Sequence, residues 1–430
     1  LINLQSLPIL IRRRTATILG AVLLGVAALV FAYTADWASK LFLIFYAHAP
    51  YATLVVTPAG LGIIVALTKT YYPLARGSGI PQVIVGCEDP RHAVGRGLVS
   101  IPTAVFKVVM TVLALSIGAS VGREGPTVQI SAAIMAMAHR LLKIDLSAAV
   151  VIAGGAAGVS AAFNTPLAGV AFAIEELAAA YQQRLALLAM VAVMISGMVS
   201  LGLSGDYVYF GEMHQSIPFL RAILISPIAG VIGGLTGGLF SLGALQFGES
   251  KWPPVIALRS HPITTAVGCG FLIAVIGVAT NGATWGAGYD TAKQLVESIQ
   301  QPLWFGPAKF ATTLITMVSG TPGGIFAPSL AAGAGLGNII AAFFPHEPLG
   351  PIVLLGMIGY FVGVVRAPLT AVLIISEMTD SRAMVLPFLI AAIIADACSA
   401  LVCKERLYHG LSKAFIDPAN DERMEADEGL

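Results

Sequence analysis

Gly122-Arg123-Glu124-Gly125-Pro126 places an ionisable pair inside an apolar tract, with Thr103 to Val121 before it and Thr127 to Met137 after it. A charge in such surroundings needs a reason. Proline is tolerated in the first turn of a helix, where its missing N–H is not needed, and the glycines let the preceding backbone turn. The five residues therefore read as the break in a broken helix, with a new helix starting near Glu124 inside a membrane. The free amides of that start, together with the positive end of the helix dipole, make an anion site. Glu124 lies on that site and is itself an anion when charged. It can fill the site as a carboxylate and leave it when protonated, which links anion occupancy to a proton. A structural Arg123–Glu124 pair is the plainer reading, but intramembrane ionisable residues are functional candidates by default.

Composition agrees with a membrane setting. Of 430 residues, 57% are hydrophobic and 11% are charged, and the mean hydropathy is +0.85, which excludes an ordinary soluble globular protein. Apolar tracts recur from Thr15 to about Ala400, which predicts one polytopic membrane domain. The net charge of +1 gives no reason to expect a nucleic-acid partner. Cys87, Cys269, Cys398 and Cys403 have neither metal-ligand nor disulfide-framework spacing and read as buried free thiols. No metal site and no cofactor is expected. Leu1 in place of Met suggests that residues precede it. Arg12-Arg13-Arg14 stands before the apolar run Thr15 to Tyr33, long enough to span a bilayer, and the positive-inside rule puts that end in the cytoplasm.

Along the chain, Ala52 to Thr68 is a second candidate span. Gly77-Ser78-Gly79-Ile80-Pro81 then forms a bend, either a surface loop or non-helical backbone sheltered inside the protein. Gln82 to Gly97 reads as a surface connection. Lys107, alone in an apolar tract, either snorkels to an interface or offsets a buried carboxylate. The short runs Ala148 to Ala162 and Leu167 to Ile174, split by Asn164-Thr165-Pro166, are the interrupted segments that mark transporter binding sites. Glu175-Glu176 follows; by position alone each reads as a helix end in headgroup water, and adjacent residues on a helix point about 100° apart. Gly230, Gly233, Gly234, Gly237 and Gly238 form a close helix-packing face, within the subunit or between subunits. Lys251 to Pro262 is polar, and Asp290 to Gln301 reads as an amphipathic surface segment.

The chain repeats itself. Pro126 recurs as Pro328, Pro166-Leu167 as Pro368-Leu369, Glu175 as Glu377 and Lys107 as Lys309, all at an offset of 202 residues. Gly77-Ser78-Gly79 has a looser counterpart in Gly286-Ala287-Gly288, at an offset of 209. Two related halves, approximately 15–205 and 217–416, each hold proline-started helices, a common transporter plan. Where one half brings Arg123-Glu124, the other brings Ile325-Phe326, whose amides remain open to an anion. Binding by partial charges suits passage, since conduction needs release as well as entry.

These residues resemble the CLC chloride channels and proton-coupled chloride transporters, over almost the whole chain. GSGIP (77–81), GREGP (122–126) and GGIFAP (323–328) match the family's three anion-pathway signatures in order, and Tyr408 matches its tyrosine. The resemblance implies an all-α polytopic membrane protein with the CLC-type inverted-repeat fold, its broken and tilted helices meeting at the membrane midplane. It implies a central anion held by the Ser78 and Tyr408 hydroxyls and the N–H groups of Ile325 and Phe326. Glu124 matches the gating glutamate and Glu176 the internal proton glutamate, which reverses the positional reading of Glu176; Glu175 and Glu377 are then structural. Ser78 resembles the chloride-selective members. Secondary active exchange of chloride for protons, by a homodimer in the bacterial inner (plasma) membrane, is the expected function. A passive voltage- or pH-gated chloride channel of the same fold is the alternative. Residues 1–416 would be a single transmembrane domain and 417–430 an acidic tail without cytosolic regulatory domains, as in prokaryotic members. A rival from another class, an intramembrane hydrolase, has only the G-x-S-x-G match at Gly118 to Gly122, which lacks the strand and histidine context that motif requires. No enzymatic activity is expected.

Overall fold

The computed structural model describes residues 8–177, 183–205, 210, 213, 215, 217–379 and 381–416; Leu1 and the tail 417–430 lie outside them. The first half runs α1 (Ile9–His48), α2 (Thr53–Tyr71), α3 (Ile80–Glu88), α4 (Pro90–Gly95), α5 (Ile101–Leu115), α6 (Glu124–Leu141), α7 (Ala148–Phe163), α8 (Pro166–Phe172) and α9 (Gln183–Ser204). The second runs α10 (Phe219–Glu249), α11 (Pro253–Ser260), α12 (Pro262–Ala279), α13 (Tyr289–Val296), α14 (Phe305–Val318), α15 (Phe326–Ala341), α16 (Leu349–Val365), α17 (Pro368–Thr379), α18 (Val385–Val402) and α19 (Leu407–Ser412). Only one isolated antiparallel bridge interrupts this helical architecture among the described residues.

Among the described residues, five helical stretches, containing α1, α2, α10, α12 and α18, are long and apolar enough to cross a membrane. Among the described residues, apolar helices such as α5 and α8 are shorter and begin with proline in the first turn. In a bilayer, such ends survive only where protein shelters their polar groups. Both α6 and α15 are buried along most of their length, so their starts lie inside the protein. The break at Gly122 to Pro126 and the start at Glu124 fall where the sequence puts them.

The glycine face lies inside the subunit. An added Cβ at Gly233 would fall 2.3 Å from the backbone of Gly359, and one at Gly237 would fall 2.5 Å from that of Gly363, so α10 meets α16 backbone to backbone. Gly230 and Gly234 face α18 in the same way, at Ala391 and Ala395.

Several sequence expectations change. The first span continues well past Tyr33, to His48, because Asp36 on its later turns is paired with Arg123. Gln82 to Gly97 is no simple surface connection: Ile80 to Cys87 are buried in α3. Gln82 is polar, yet its amide donates to the carbonyls of Leu74 and Arg76 at 3.0 and 2.8 Å, so its polarity is absorbed internally. Asp290 to Gln301 contributes a short helix, α13, whose Ala292, Leu295 and Val296 are buried.

Lys107 does not snorkel, and it meets no carboxylate among the described residues. Fully buried, it reaches the Arg76 carbonyl at 3.4 Å, just before Gly77-Ser78-Gly79. Its repeat partner Lys309 donates to the carbonyls of Thr284, at 3.0 Å, and Gly286, beside Gly286-Ala287-Gly288. Each half uses a buried lysine as a hydrogen-bond donor to the backbone of a turn.

Candidate functional site

The three glycine-rich signatures, distant in sequence, are joined by backbone. Gly122 and Gly324 exchange two hydrogen bonds, each 2.7 Å, and the N–H of Gly323 donates to the Gly77 carbonyl at 3.2 Å. Glycine is required at this crossing. A Cβ on Gly125 would lie 2.3 Å from the Ser78 hydroxyl oxygen, and one on Gly324 would lie 2.8 Å from the Gly125 nitrogen.

This crossing brings the starts of α6 and α15 together. The first four N–H groups of a helix have no partner within it, and the dipole adds partial positive charge there. No hydrogen-bond partner is seen among the described residues for the amides of Ile325 and Phe326. Two buried hydroxyls, those of Ser78 and Tyr408, lie close to each other and have no other protein partner among the described residues. Leaving buried polar groups unpaired is costly, so these donors together suit an anion shorn of its water.

Phe326 carries both an amide and a wall of this region. Its ring is fully buried and meets Phe163, Phe172, Phe361 and Tyr408, with centroids 6.0, 6.1, 5.0 and 5.8 Å away. Such rings exclude water, which strengthens the attraction between amide dipoles and a bound charge.

Arg123 and Glu124 turn to different partners. The Arg123 guanidinium donates to Asp36 at 2.9 Å and to the Ala32 carbonyl at 2.8 Å, which ties the signature loop to α1. Glu124, fully buried, accepts from the Tyr289 hydroxyl at the start of α13, and its other oxygen has no hydrogen-bond partner among the described residues. The plain Arg123–Glu124 pair thus gives way to two separate contacts. A cavity of about 260 Å³ lies alongside, lined by Asp36, Lys40, Arg123, Tyr289 and Lys293 among others.

Glu175 and Glu176 sit on a π-helical turn, Ala173 to Leu177, that continues α8; such turns are rare and recur at functional sites. Glu175 accepts from the N–H groups of Leu369 and Thr370 at 2.8 and 2.6 Å, capping α17. Glu176 points elsewhere. Its buried carboxylate meets His409 Nδ1 at 3.5 Å and otherwise has no hydrogen-bond partner among the described residues.

Ser78, Glu124, Ile325, Phe326 and Tyr408 are thereby gathered around one centre, and Glu176 lies on the side of α19. Sequence reading missed three further participants, Asp36, Tyr289 and His409. Tyr289 had a signal, because it directly follows the Gly286-Ala287-Gly288 turn. Ser120 is buried and shares its hydroxyl with Thr313 at 3.0 Å, a structural contact rather than the exposed geometry of a nucleophile.

A family model described as voltage gated chloride channel matches residues 60–400. The chain is 29% identical over 436 residues to an H(+)/Cl(-) exchange transporter ClcA of Yersinia pseudotuberculosis serotype IB (strain PB1/+), covering 96% of this chain and 89% of that protein. It is 30% identical over 383 residues to the transporter of the same name from Vibrio vulnificus (strain YJ016), covering 84% and 79%. The crystal structure of a slow cyanobacterial Cl-/H+ antiporter superposes with a TM-score of 0.78 at 24% identity, covering 94% of this chain and 98% of that one. A eukaryotic CLC transporter gives 0.75 at 21% identity, covering 94% and 74%. At those identities the structural likeness speaks for the fold, while the sequence match over most of the chain speaks for descent. With the three signatures stitched together at its centre, the chain belongs to the voltage gated chloride channel family and has its multi-pass, inverted-repeat membrane fold.

Proposed function

We propose that this protein exchanges chloride for protons across a membrane, with one anion pathway through the described domain. The observation that carries the reading is the convergence, between two carboxylates, of unpaired donors: the Ser78 and Tyr408 hydroxyls and the Ile325 and Phe326 amides. Chloride is the anion that the exchange transporters of Yersinia and Vibrio are named for, and they align with most of this chain.

In this mechanism a dehydrated chloride sits among those four donors. Partial charges balance its lost hydration without trapping it. Glu124 competes with chloride as a carboxylate and yields the path when it takes a proton. Glu176 passes protons between the pathway and the cytoplasmic side, where the arginines Arg12 to Arg14 put the amino-terminal end. The two carboxylates use separate routes toward the centre, which lets protons and chloride move in opposite directions. Residues 15–205 and 217–416 act as the two halves of one membrane domain, and the working unit is a homodimer in the bacterial inner membrane, in keeping with the family's fold.

The test is a flux measurement on purified protein in liposomes with a chloride gradient and no proton gradient. Chloride efflux should drive protons uphill. Glu124→Gln and Glu176→Gln should each abolish proton movement while chloride still passes. Chloride flux without proton movement in the unaltered protein would make it a passive channel and end this reading.

A further inference from the structure

The two halves differ at their glycine turns, and the difference falls on the gate. In the first half, Gly77-Ser78-Gly79 brings a hydroxyl to the central cluster. In the second, Gly286-Ala287-Gly288 has no hydroxyl at the matching position. The next residue, Tyr289, stands 209 positions beyond Ile80 and is the first residue of α13, as Ile80 is of α3. Its hydroxyl donates to Glu124, 165 residues away in sequence.

The ring is held from several directions. The Arg123 guanidinium lies over its face, 5.6 Å from the centroid, and Phe210 packs beside it at 5.6 Å. The turn before it is fixed by Lys309, which donates to the carbonyls of Thr284 and Gly286 and lies against Gly288. Gly286 and Gly288 take φ of +61° and +85°, a left-handed backbone that suits glycine and brings α13 round sharply. A tyrosine set on so constrained a turn presents its hydroxyl at a fixed place. It receives the gate's carboxylate there, away from any bond to the Ile325 or Phe326 amides.

We propose that Tyr289 is a positioning residue for the gate, a latch that holds the Glu124 carboxylate clear of the anion-binding amides so that chloride meets less competition for them. The inference rests on the reading of Glu124 as the gate. The repeat has thus been put to two uses: one turn supplies an anion ligand and the other supplies the catch for the group that competes with the anion. Arg123, through its contact with the Tyr289 ring and its bond to Asp36, ties the latch to α1.

The experiment is chloride binding by titration calorimetry on purified, monodisperse protein near neutral pH, for the unaltered chain, Tyr289→Phe, Glu124→Gln and the double variant. Removing a hydrogen bond to a charged group is worth about tenfold in an equilibrium constant. Tyr289→Phe should therefore raise the Kd for chloride about tenfold. In the Glu124→Gln background, where no charged competitor remains, the same change should leave Kd within about twofold. Tyr289→Trp, which keeps a ring and restores an N–H donor, should recover part of the loss. The latch is overturned if Tyr289→Phe leaves Kd unchanged, or if it weakens chloride equally with and without Glu124, which would mark a packing effect. Failure of the gate reading has a different signature: proton movement that survives in Glu124→Gln liposomes.

Discussion

Glu175 and Glu377, equivalent residues of the two halves, each cap the helix that starts in the other half. Glu175 accepts from Leu369 and Thr370 at the start of α17, while Glu377 accepts from Leu167 and Ala168 at the start of α8, at 3.2 and 3.0 Å. Carboxylates suit helix starts because the amides there are unpaired and the dipole is positive. Glu175 also accepts from the Thr370 hydroxyl at 2.6 Å. Glu377→Ala should lower stability by about 1–3 kcal/mol, and Glu175→Ala by more. Thermal unfolding of the purified protein in detergent reads this directly, and an unchanged Tm for both would show that the exchange of caps contributes little.

The glycines of α10 give a prediction with its own control. Gly233→Ala would drive a methyl into the Gly359 backbone, whereas Gly248, on the same helix, has nothing within 4 Å of an added Cβ. Overpacking costs about 1–3 kcal/mol, so Gly233→Ala should lower the unfolding temperature measurably. Gly248→Ala should leave it unchanged or raise it slightly. Equal effects at the two positions would contradict the backbone-to-backbone approach of α10 and α16.

Lys309→Met keeps an unbranched side chain, one atom shorter, and removes its donor. The carbonyls of Thr284 and Gly286 would then lose a buried partner, at a cost of about 1–3 kcal/mol each. Hydrogen exchange should rise in the segment 284–290 before it rises elsewhere. Protection that stays as before in that segment would mean the turn is held by its glycines alone.

His409 belongs to α19, a six-residue helix beyond the last spanning helix, and its half-exposed ring faces Glu176 on the π turn, Arg406 on its own side and Glu88 at the end of α3. The contact with Glu176 raises its proton affinity above the ordinary value of 6.5, against burial and Arg406, which lower it. So long as Glu176 is ionised, the imidazolium–carboxylate pair is favoured below about pH 6.5 and is lost as pH rises through the raised value. An NMR titration should place the His409 midpoint above 6.5, and Glu176→Gln should bring it down. A midpoint that does not respond to Glu176→Gln would sever the link between them.

Much of this architecture was legible because prolines and glycines write backbone breaks directly into the sequence. Pro126, Pro166, Pro328 and Pro368 all sit in the first turn of a helix, and their common spacing exposed the repeat. Glu175 and Glu176 could be separated by direction, though not assigned by position. What stayed hidden was settled by partners far away in sequence. Gln82 looked like a surface residue because the carbonyls that satisfy it are invisible in a one-dimensional reading. Lys107 looked undecided for the same reason, since its partner is a carbonyl rather than a side chain. Asp36 made the first span look shorter than it is, because its pairing with Arg123, 87 residues away, cannot be read from the local sequence. Tyr289 stood just outside the apparent surface segment Asp290 to Gln301 and drew no reading of its own, since only the folded turn before it delivers its hydroxyl to Glu124.

The paired hydrogen bonds between Gly122 and Gly324 act as a rivet through the two repeats. Neither helix start can slide or tilt without tearing a buried bond that has no substitute in a bilayer. Movements of single side chains about their own bonds leave this bridge intact, whereas a relative shift of the two helix starts does not. Side-chain rotations are faster by orders of magnitude than the rocking of domains. A centre riveted in this way favours the turning of side chains over the rocking of its two helix starts.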